Sequence, residues 1–211
     1  MHIDDDILSA PALGILTVGA AAGVACGLRR LQPDRLPRVA VLSSAFFIAG
    51  LIHVPLPPTS VHLVLTGLIG MVLGWAAFPA ILVGLLLQAV MFGHGGITTL
   101  GVNTLIMAAP AVCVYYAFGR GLAHGTARRS VLMRGFAAGF TAVLVSGALA
   151  TGALWASGQT ALAGTFVVAH LVLATVEGLV TAHALAFLHL VRPETLQSAP
   201  ALTPAVEPTD A

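Results

Sequence analysis

Apolar residues run along this chain in long unbroken stretches, and polar residues come in short knots between them. Stretches of about 15 to 25 apolar residues suit helices that span a bilayer. Seven are present, at 7–28, 39–55, 61–77, 79–93, 104–119, 135–156 and 165–190. The third and fourth are separated only by Phe78-Pro79, which predicts a tight helical hairpin broken at the proline. Gly19-Ala20-Ala21-Ala22-Gly23 and the stretch from Gly147 to Ala153 supply small residues that let helices approach closely in lipid. Between the stretches, Val54-Pro55-Leu56-Pro57-Pro58-Thr59-Ser60 holds prolines that exclude regular helix and predict a turn. The run from Phe92 to Asn103 is glycine-rich and polar, so it must lie against protein or a water-filled cavity and is expected to roof a pocket. Residues 193–211 are rich in proline and alanine and carry the acidic residues Glu194, Glu207 and Asp210. They predict a disordered tail after a membrane domain of residues 1–192. The expected fold class is an all-α integral membrane protein with about seven transmembrane helices. No internal repeat is visible, which argues for one binding subunit rather than a self-contained carrier built from two related halves.

Composition agrees. The chain is 58% hydrophobic and 8% charged, against about 25% charged in soluble domains. All nine basic residues are arginine, and their distribution predicts the topology. Arg29, Arg30, Arg35 and Arg38 lie between spans 1 and 2, Arg120, Arg128, Arg129 and Arg134 between spans 5 and 6, and Arg192 after span 7. Basic residues accumulate on the cytoplasmic side. With the amino terminus outside and seven crossings, all nine fall inside, together with the carboxyl terminus; a wrong span count would scatter them. A net charge of +1 implies no bulk attraction to nucleic acid, and the lipid bilayer is the expected surrounding. Cys26 and Cys113 lie far apart inside apolar stretches and are expected to be reduced packing residues.

The residues most able to carry chemistry stand at the start. Asp4-Asp5-Asp6 occupies the place where a signal peptide would be basic, so Met1-His2 is expected to survive as the amino terminus. A terminal amine, the backbone nitrogen of residue 2 and that residue's imidazole can close fused five- and six-membered chelate rings round one metal ion. Nitrogen-rich planar coordination suits Ni(II) or Cu(II). An imidazole from elsewhere would fill the open in-plane position, and His62 is the candidate. The three aspartates raise the local cation concentration. His53 can orient an imidazole or a carbonyl near that site. Gln88 and Asn103 bracket the glycine-rich loop, where they can hold its carbonyls or contact the bound terminus. In the last span His170 and Glu177, seven residues apart, share a helix face. They suit a structural hydrogen bond to a neighbouring helix, an attachment point for a partner subunit, or a proton relay or metal site. The chain has no lysine, so a phosphate-binding Gly-x-x-x-x-Gly-Lys loop is impossible and ATP hydrolysis by that route is excluded. Neither a His-Glu-x-x-His nor a Gly-x-Ser-x-Gly motif occurs.

Several of these segments, in this order, resemble one known family. Met1-His2-Ile3, His53-Val54-Pro55 through Thr59-Ser60-Val61-His62-Leu63, Leu87-Gln88-Ala89, Phe92-Gly93-His94-Gly95-Gly96 and Leu100-Gly101-Val102-Asn103-Thr104 are similar to the CbiM/NikM family. These are the substrate-binding membrane components of energy-coupling factor transporters for cobalt and nickel. The resemblance implies a seven-helix subunit whose amino terminus folds into the bundle, with Ni(II) or Co(II) as cargo. The ion would be held by the Met1 amine, the His2 backbone and imidazole nitrogens and the His62 imidazole. His53, Ser60, Gln88, His94 and Asn103 are the expected supporting residues. The implied partners are a transmembrane coupling protein, two cytoplasmic ATPases and a small accessory membrane subunit. Asp4-Asp5-Asp6 and His94 depart from the cobalt-type pattern. Thr59-Ser60-Val61-His62 and His94 resemble the nickel-type branch. Two competing readings are a membrane enzyme using His170 and Glu177, and a membrane metal sensor that gates a partner.

Overall fold

The computed structural model describes residues 2–56, 59–122 and 125–196, with main chain only at 53–56, 59–61 and 160–169. Among the described residues there are seven α-helices: α1 Ala10–Arg29, α2 Leu36–Ala49, α3 Thr66–Leu73, α4 Ala77–Phe92, α5 Leu100–Val114, α6 Arg128–Ala156 and α7 Thr160–Val191. Tyr115–Gly119 prolongs α5 in wider turns. Long apolar spans able to cross a bilayer lie at Ala10–Arg29, Thr66–Phe92, Leu100–Gly119, Arg128–Ala156 and His170–Val191. Within Thr66–Phe92 the chain reverses rather than running straight. α3 descends beside α5, with Gly70 against Ala111 and Gly74 against Tyr115, whereas α4 runs back against α1, with Phe78 near Gly23 and Pro79 near Gly27.

That reversal corrects the expected hairpin. The break lies at Gly74–Ala76, one short 3-10 turn, where Gly74 takes φ +55, a conformation open to glycine without steric cost. Pro79 sits instead in the first turn of α4, where its missing N–H would have had no helical partner anyway. A second correction concerns 39–55 and 61–77. α2 ends at Ala49, and His53–Leu56 and Thr59–His62 form a two-stranded antiparallel hairpin with His53 opposite His62, so α3 begins only at Thr66. Proline at 55 fits such a short strand because the edge asks for no ladder donor there. The fold is therefore all-α apart from this hairpin. Of the expected tail, Pro193–Thr195 makes a short 3-10 turn and Leu196 is buried, and residues 197–211 lie outside the described residues.

Glycine decides how closely the helices pack. α6 and α7 form the most extensive pair, antiparallel, with Gly135 against Ala182, Gly139 against the Glu177 carbonyl and Gly147 against His170. α3 occupies the centre, buried from Thr66 through Met71, and approaches both α5 and α6 backbone to backbone. A Cβ on Gly67 would lie 2.4 Å from the Gly139 Cα, and one on Gly70 would lie 2.2 Å from the Ala111 carbonyl oxygen. α1 packs through Gly19, Gly23 and Gly27, one face every fourth residue, and leaves Ile15 and Val18 exposed as a lipid-facing side. Of the expected small-residue stripe at the end of α6, Gly147 makes a contact while Gly152 meets nothing within 4 Å. Cys26 and Cys113 are free, and Cys113 is exposed rather than packed as expected.

Replacing Gly70 with valine drives a side chain into the Ala111 carbonyl, which is rigid main chain. The expected cost is about 1–3 kcal/mol or more, read as a fall in melting temperature in detergent. Gly14→Val, at a position whose Cβ meets nothing within 4 Å, is the control and changes stability by less than about 0.5 kcal/mol.

Candidate metal centre

At one end of the bundle the chain start folds inward over the hairpin and the loop before α5. Ile3 is its anchor. The Ile3 side chain is buried beside Val102, Ile106, Ala150 and Leu154, and its backbone is read from both sides. Its N–H donates to Asn103 Oδ1 at 3.0 Å, and its carbonyl accepts from Asn103 Nδ2 at 2.9 Å and Thr99 Oγ1 at 2.8 Å. An amide side chain satisfies both groups at once because it carries a donor and an acceptor side by side. Two residues on, the Asp5 carboxylate accepts from the Thr98 hydroxyl and from the Thr98 and Thr99 backbone N–H groups at 3.2 and 3.3 Å. The Thr98 hydroxyl is the main reason that the Asp5 carboxyl titrates below the usual aspartate range, since these bonds favour the charged form. Gly95 and Gly96 leave the room required. A Cβ on Gly96 would fall 1.6 Å from the Asp5 carboxylate, and Gly95, at φ +68, lies against His2.

Held in this way, the His2 ring stacks on His62, with centroids 4.7 Å apart and 17° between planes. His62 Nε2 lies 3.1 Å from His2 Nδ1. His62 Nδ1 lies 3.2 Å from the Leu63 carbonyl oxygen. A carbonyl only accepts, so Nδ1 carries the proton and Nε2 keeps its lone pair turned towards His2. His62 is 4% exposed. His94 stands on the other side of His2, with ring centroids 6.4 Å apart. Among the described residues no group of three His, Cys, Asp or Glu side chains is close enough to hold a metal. The imidazoles of His2 and His62 bring two ring nitrogens together at 3.1 Å, a pair that could offer two ligands to a metal ion.

The remaining expected residues divide. Asn103 contacts the terminus, as described. Gln88 is fully buried but reaches the other way: its Nε2 lies 3.5 and 3.4 Å from the Phe46 and Phe47 carbonyls at the end of α2. His53 lies in β1 directly across from His62, and Ser60 lies in β2 opposite Pro55; their side chains, like all of Met1, fall outside the described residues. Thr99 carries as much of the site as Asn103. Its signal is present in the sequence, one helical turn before Asn103 on the same face, where its hydroxyl can meet the same ligand.

Glu177 also belongs to this region. It is fully buried in α7, and its Oε1 accepts from the Val64 and Leu65 backbone N–H groups, the latter at 2.9 Å. Leu65 takes a left-handed conformation at φ 51, so residues 63–65 cannot bond to one another as helix does. His170 lies one face along, against Gly147. His183 Nδ1 lies 2.8 Å from the Leu179 carbonyl of its own helix, and His189 Nε2 lies 3.2 Å from the Thr126 carbonyl.

A family model described as the cobalt uptake substrate-specific transmembrane region, CbiM, matches residues 2–195. A protein of Haemophilus influenzae named as a metal transport protein is 47% identical over 158 residues, 75% of this chain and 77% of its own. The fused nickel transport protein NikMN of Rhodobacter capsulatus is 38% identical over 147 residues, 65% of this chain and 42% of that longer protein. A crystal structure of a transition metal transporter superposes with a TM-score of 0.71 at 26% identity, over 90% of this chain and 93% of the other.

Two outcomes are expected. Glu177→Leu leaves two buried N–H groups without acceptors, at about 1–3 kcal/mol each, so melting temperature and protection of the residue 64 and 65 amides from hydrogen exchange both fall. Glu177→Gln, which keeps one carbonyl oxygen, falls less in both measurements. The second concerns Asp5. A carboxyl whose folded pKa is depressed stabilises the docked terminus above its unfolded value, about 3.9, and loses that contribution as pH falls further through the folded value. Below the imidazole range, from about pH 5 downward, hydrogen exchange at residues 3–8 should therefore hold level to about pH 4, after correction for intrinsic rates, and quicken below. Thr98→Val, which removes the main stabilising hydroxyl, should bring that onset to higher pH.

Proposed function

The chain belongs to the CbiM family of substrate-specific membrane components for cobalt uptake, and from that premise we propose that it captures Ni(II) or Co(II) for an ATP-driven importer of the energy-coupling factor type. The histidine end faces the outside, seven crossings follow, and the arginine end with the carboxyl terminus faces the cytoplasm. Clustering of the arginines at the end away from His2, His62 and His94 supports this orientation through the positive-inside tendency.

The cargo ion sits in a plane of four nitrogens: the Met1 amine, the His2 backbone nitrogen, His2 Nδ1 and His62 Nε2. One observation carries the reading, the 3.1 Å approach of His62 Nε2 to His2 Nδ1. Two metal–nitrogen bonds of about 2 Å at a right angle separate their nitrogens by about 2.8 Å, so the pair needs to close by only a few tenths of an ångström. Nδ1 is also the ring nitrogen that closes a six-membered chelate with its own backbone nitrogen. Four nitrogens in a plane suit nickel, while cobalt remains the alternative cargo. His94 and the glycine-rich loop cover the site from outside. The fused nickel transport protein of Rhodobacter capsulatus supports a second transport component as partner. A coupling protein, two cytoplasmic ATPases and a small accessory subunit complete the proposed complex and supply the energy that a chain without lysine cannot extract through a phosphate-binding loop. A membrane enzyme built on His170 and Glu177 has less support, because Glu177 Oε1 is taken up by the Val64 and Leu65 amides.

Metal analysis of purified protein tests the reading. Protein with the native start should retain about one Ni(II) or Co(II) per chain. Protein with one residue inserted before Met1, and a His62→Ala variant, should each lose more than about 100-fold in affinity while melting near the wild-type temperature. Because the amine, of reference pKa about 7.7–8.0, and the imidazoles, about 6.5, must be deprotonated to bind, affinity should also fall steadily from pH 8 to pH 5. Metal content unaltered in both variants would remove the four-nitrogen site.

A further inference from the structure

Four of the nine arginines surround one cavity at the end of the bundle remote from His2 and His62. It has a volume of about 280 Å³ and is lined by Arg30 beyond α1, Arg35 and Arg38 at the start of α2, and Arg120 beyond α5, with Trp75 and Tyr116 between them. The charges are held in position. The Arg30 guanidinium lies 4.9 Å from the Trp75 ring centroid and that of Arg120 lies 4.3 Å from the Tyr116 ring. The Trp75 indole N–H donates to the Tyr116 hydroxyl at 2.8 Å, and Arg30 donates to the same oxygen at 3.4 Å. Among the described residues none of the four makes an ion pair; the pair found at this end is Arg192–Glu194. Two carboxylates lie near but do not line the cavity: exposed Asp34, next to Arg35, and Glu194, whose backbone carbonyl accepts from Arg38 at 3.4 Å. Converging guanidiniums with open forks suit a phosphate group, which accepts bidentate hydrogen bonds.

A second cavity shares the walls Arg38 and Val72. This one, of about 420 Å³, has Pro37, Val41, Leu42 and Leu188 as its apolar walls, with Arg192 and Thr195 completing the lining, and it runs between α2 and the end of α7. A free phosphate ion needs only the first cavity. A phospholipid needs both, a cationic cradle at headgroup level with aromatic rings beside it and an apolar groove running from it between helices.

We propose that these two cavities form one binding site for an anionic phospholipid, its phosphate among Arg30, Arg35, Arg38 and Arg120 and an acyl chain in the α2–α7 groove. The site is separate from the metal centre and does not depend on the metal reading.

Native mass spectrometry of the full chain in mild detergent, titrated with phosphatidylglycerol or phosphatidylcholine of identical acyl chains, tests this. The expected result is one phosphatidylglycerol bound in clear preference to phosphatidylcholine. Arg30→Gln and Arg120→Gln should each weaken it about fivefold. Leu42→Trp, which fills the groove without changing charge, should weaken it as well. The double variant Arg128→Gln/Arg129→Gln, which removes arginines outside the cavity, should leave it unchanged. Arg30→Lys keeps the charge but loses the planar fork, and should give an intermediate loss even where a glutamine variant fails to fold. Equal binding of the two lipids, or an equal loss in the Arg128/Arg129 variant, would reduce the effect to bulk charge and overturn the site. A Leu42→Trp variant that binds as wild type, or displacement of the lipid by millimolar inorganic phosphate, would show that the cavity reads an anion and not a lipid.

Discussion

Non-helical backbone inside an apolar bundle must find hydrogen-bond partners within the protein, and the position of His62 depends on how this chain meets that demand. α3 has only eight residues, about 12 Å of helix, well short of the roughly 30 Å hydrocarbon core. The segment between β2 and α3 makes up depth without being helical. Its Val64 and Leu65 N–H groups have no helical acceptor, and Glu177 provides one. A buried carboxyl is costly in lipid surroundings, and here one of its oxygens offsets two orphan amides. Without it the chain leaving His62 would have to become helix or move out towards water, and either would carry the imidazole away from His2.

The same demand shapes the docking of the chain start. Burying Ile3 contributes about 1.5–3 kcal/mol, and the hydrogen bonds to its backbone add about 0.5–1.5 kcal/mol each. Ordering each terminal residue costs about 1–2 kcal/mol. These opposing sums are of similar size for a segment of five or six residues. Further contacts between His2 and His62 therefore weigh heavily in whether the terminus stays in place, and under the proposed chelation capture of the ion and closure of the terminus are one event.

The molecule is polarised along its long axis. His2, His62 and His94 gather at one end with the Asp5 carboxylate, and Arg30, Arg35, Arg38 and Arg120 gather at the other with Trp75 and Tyr116. α3 links the two, running from the Glu177 clasp to the Gly74–Ala76 turn, whose Trp75 lines the arginine cavity. A shift of α3 along its axis would be felt at both ends, because its glycine contacts with α5 and α6 are backbone on backbone and have no soft side chains to absorb it.

Much was legible from the chain alone. Hydropathy located the apolar helices, because burial in lipid demands long apolar runs, and the arginines marked one end, because charge is kept out of an apolar bundle. The terminal histidine, His62 and Asn103 stood out for their chemistry. What only the tertiary structure decided were the contacts between residues far apart in sequence. Proline suggested a helix break at 78–79, but the turn formed at Gly74, since proline is at ease in a first helical turn and a left-handed corner needs glycine. Glu177 could be seen to need a partner. That the partner would be two backbone amides 113 and 112 residues away could not, because every residue but proline carries the same N–H and no side chain announces which will be left unpaired. Sequence determines what each residue can offer; the packing of seven helices decides which offers meet.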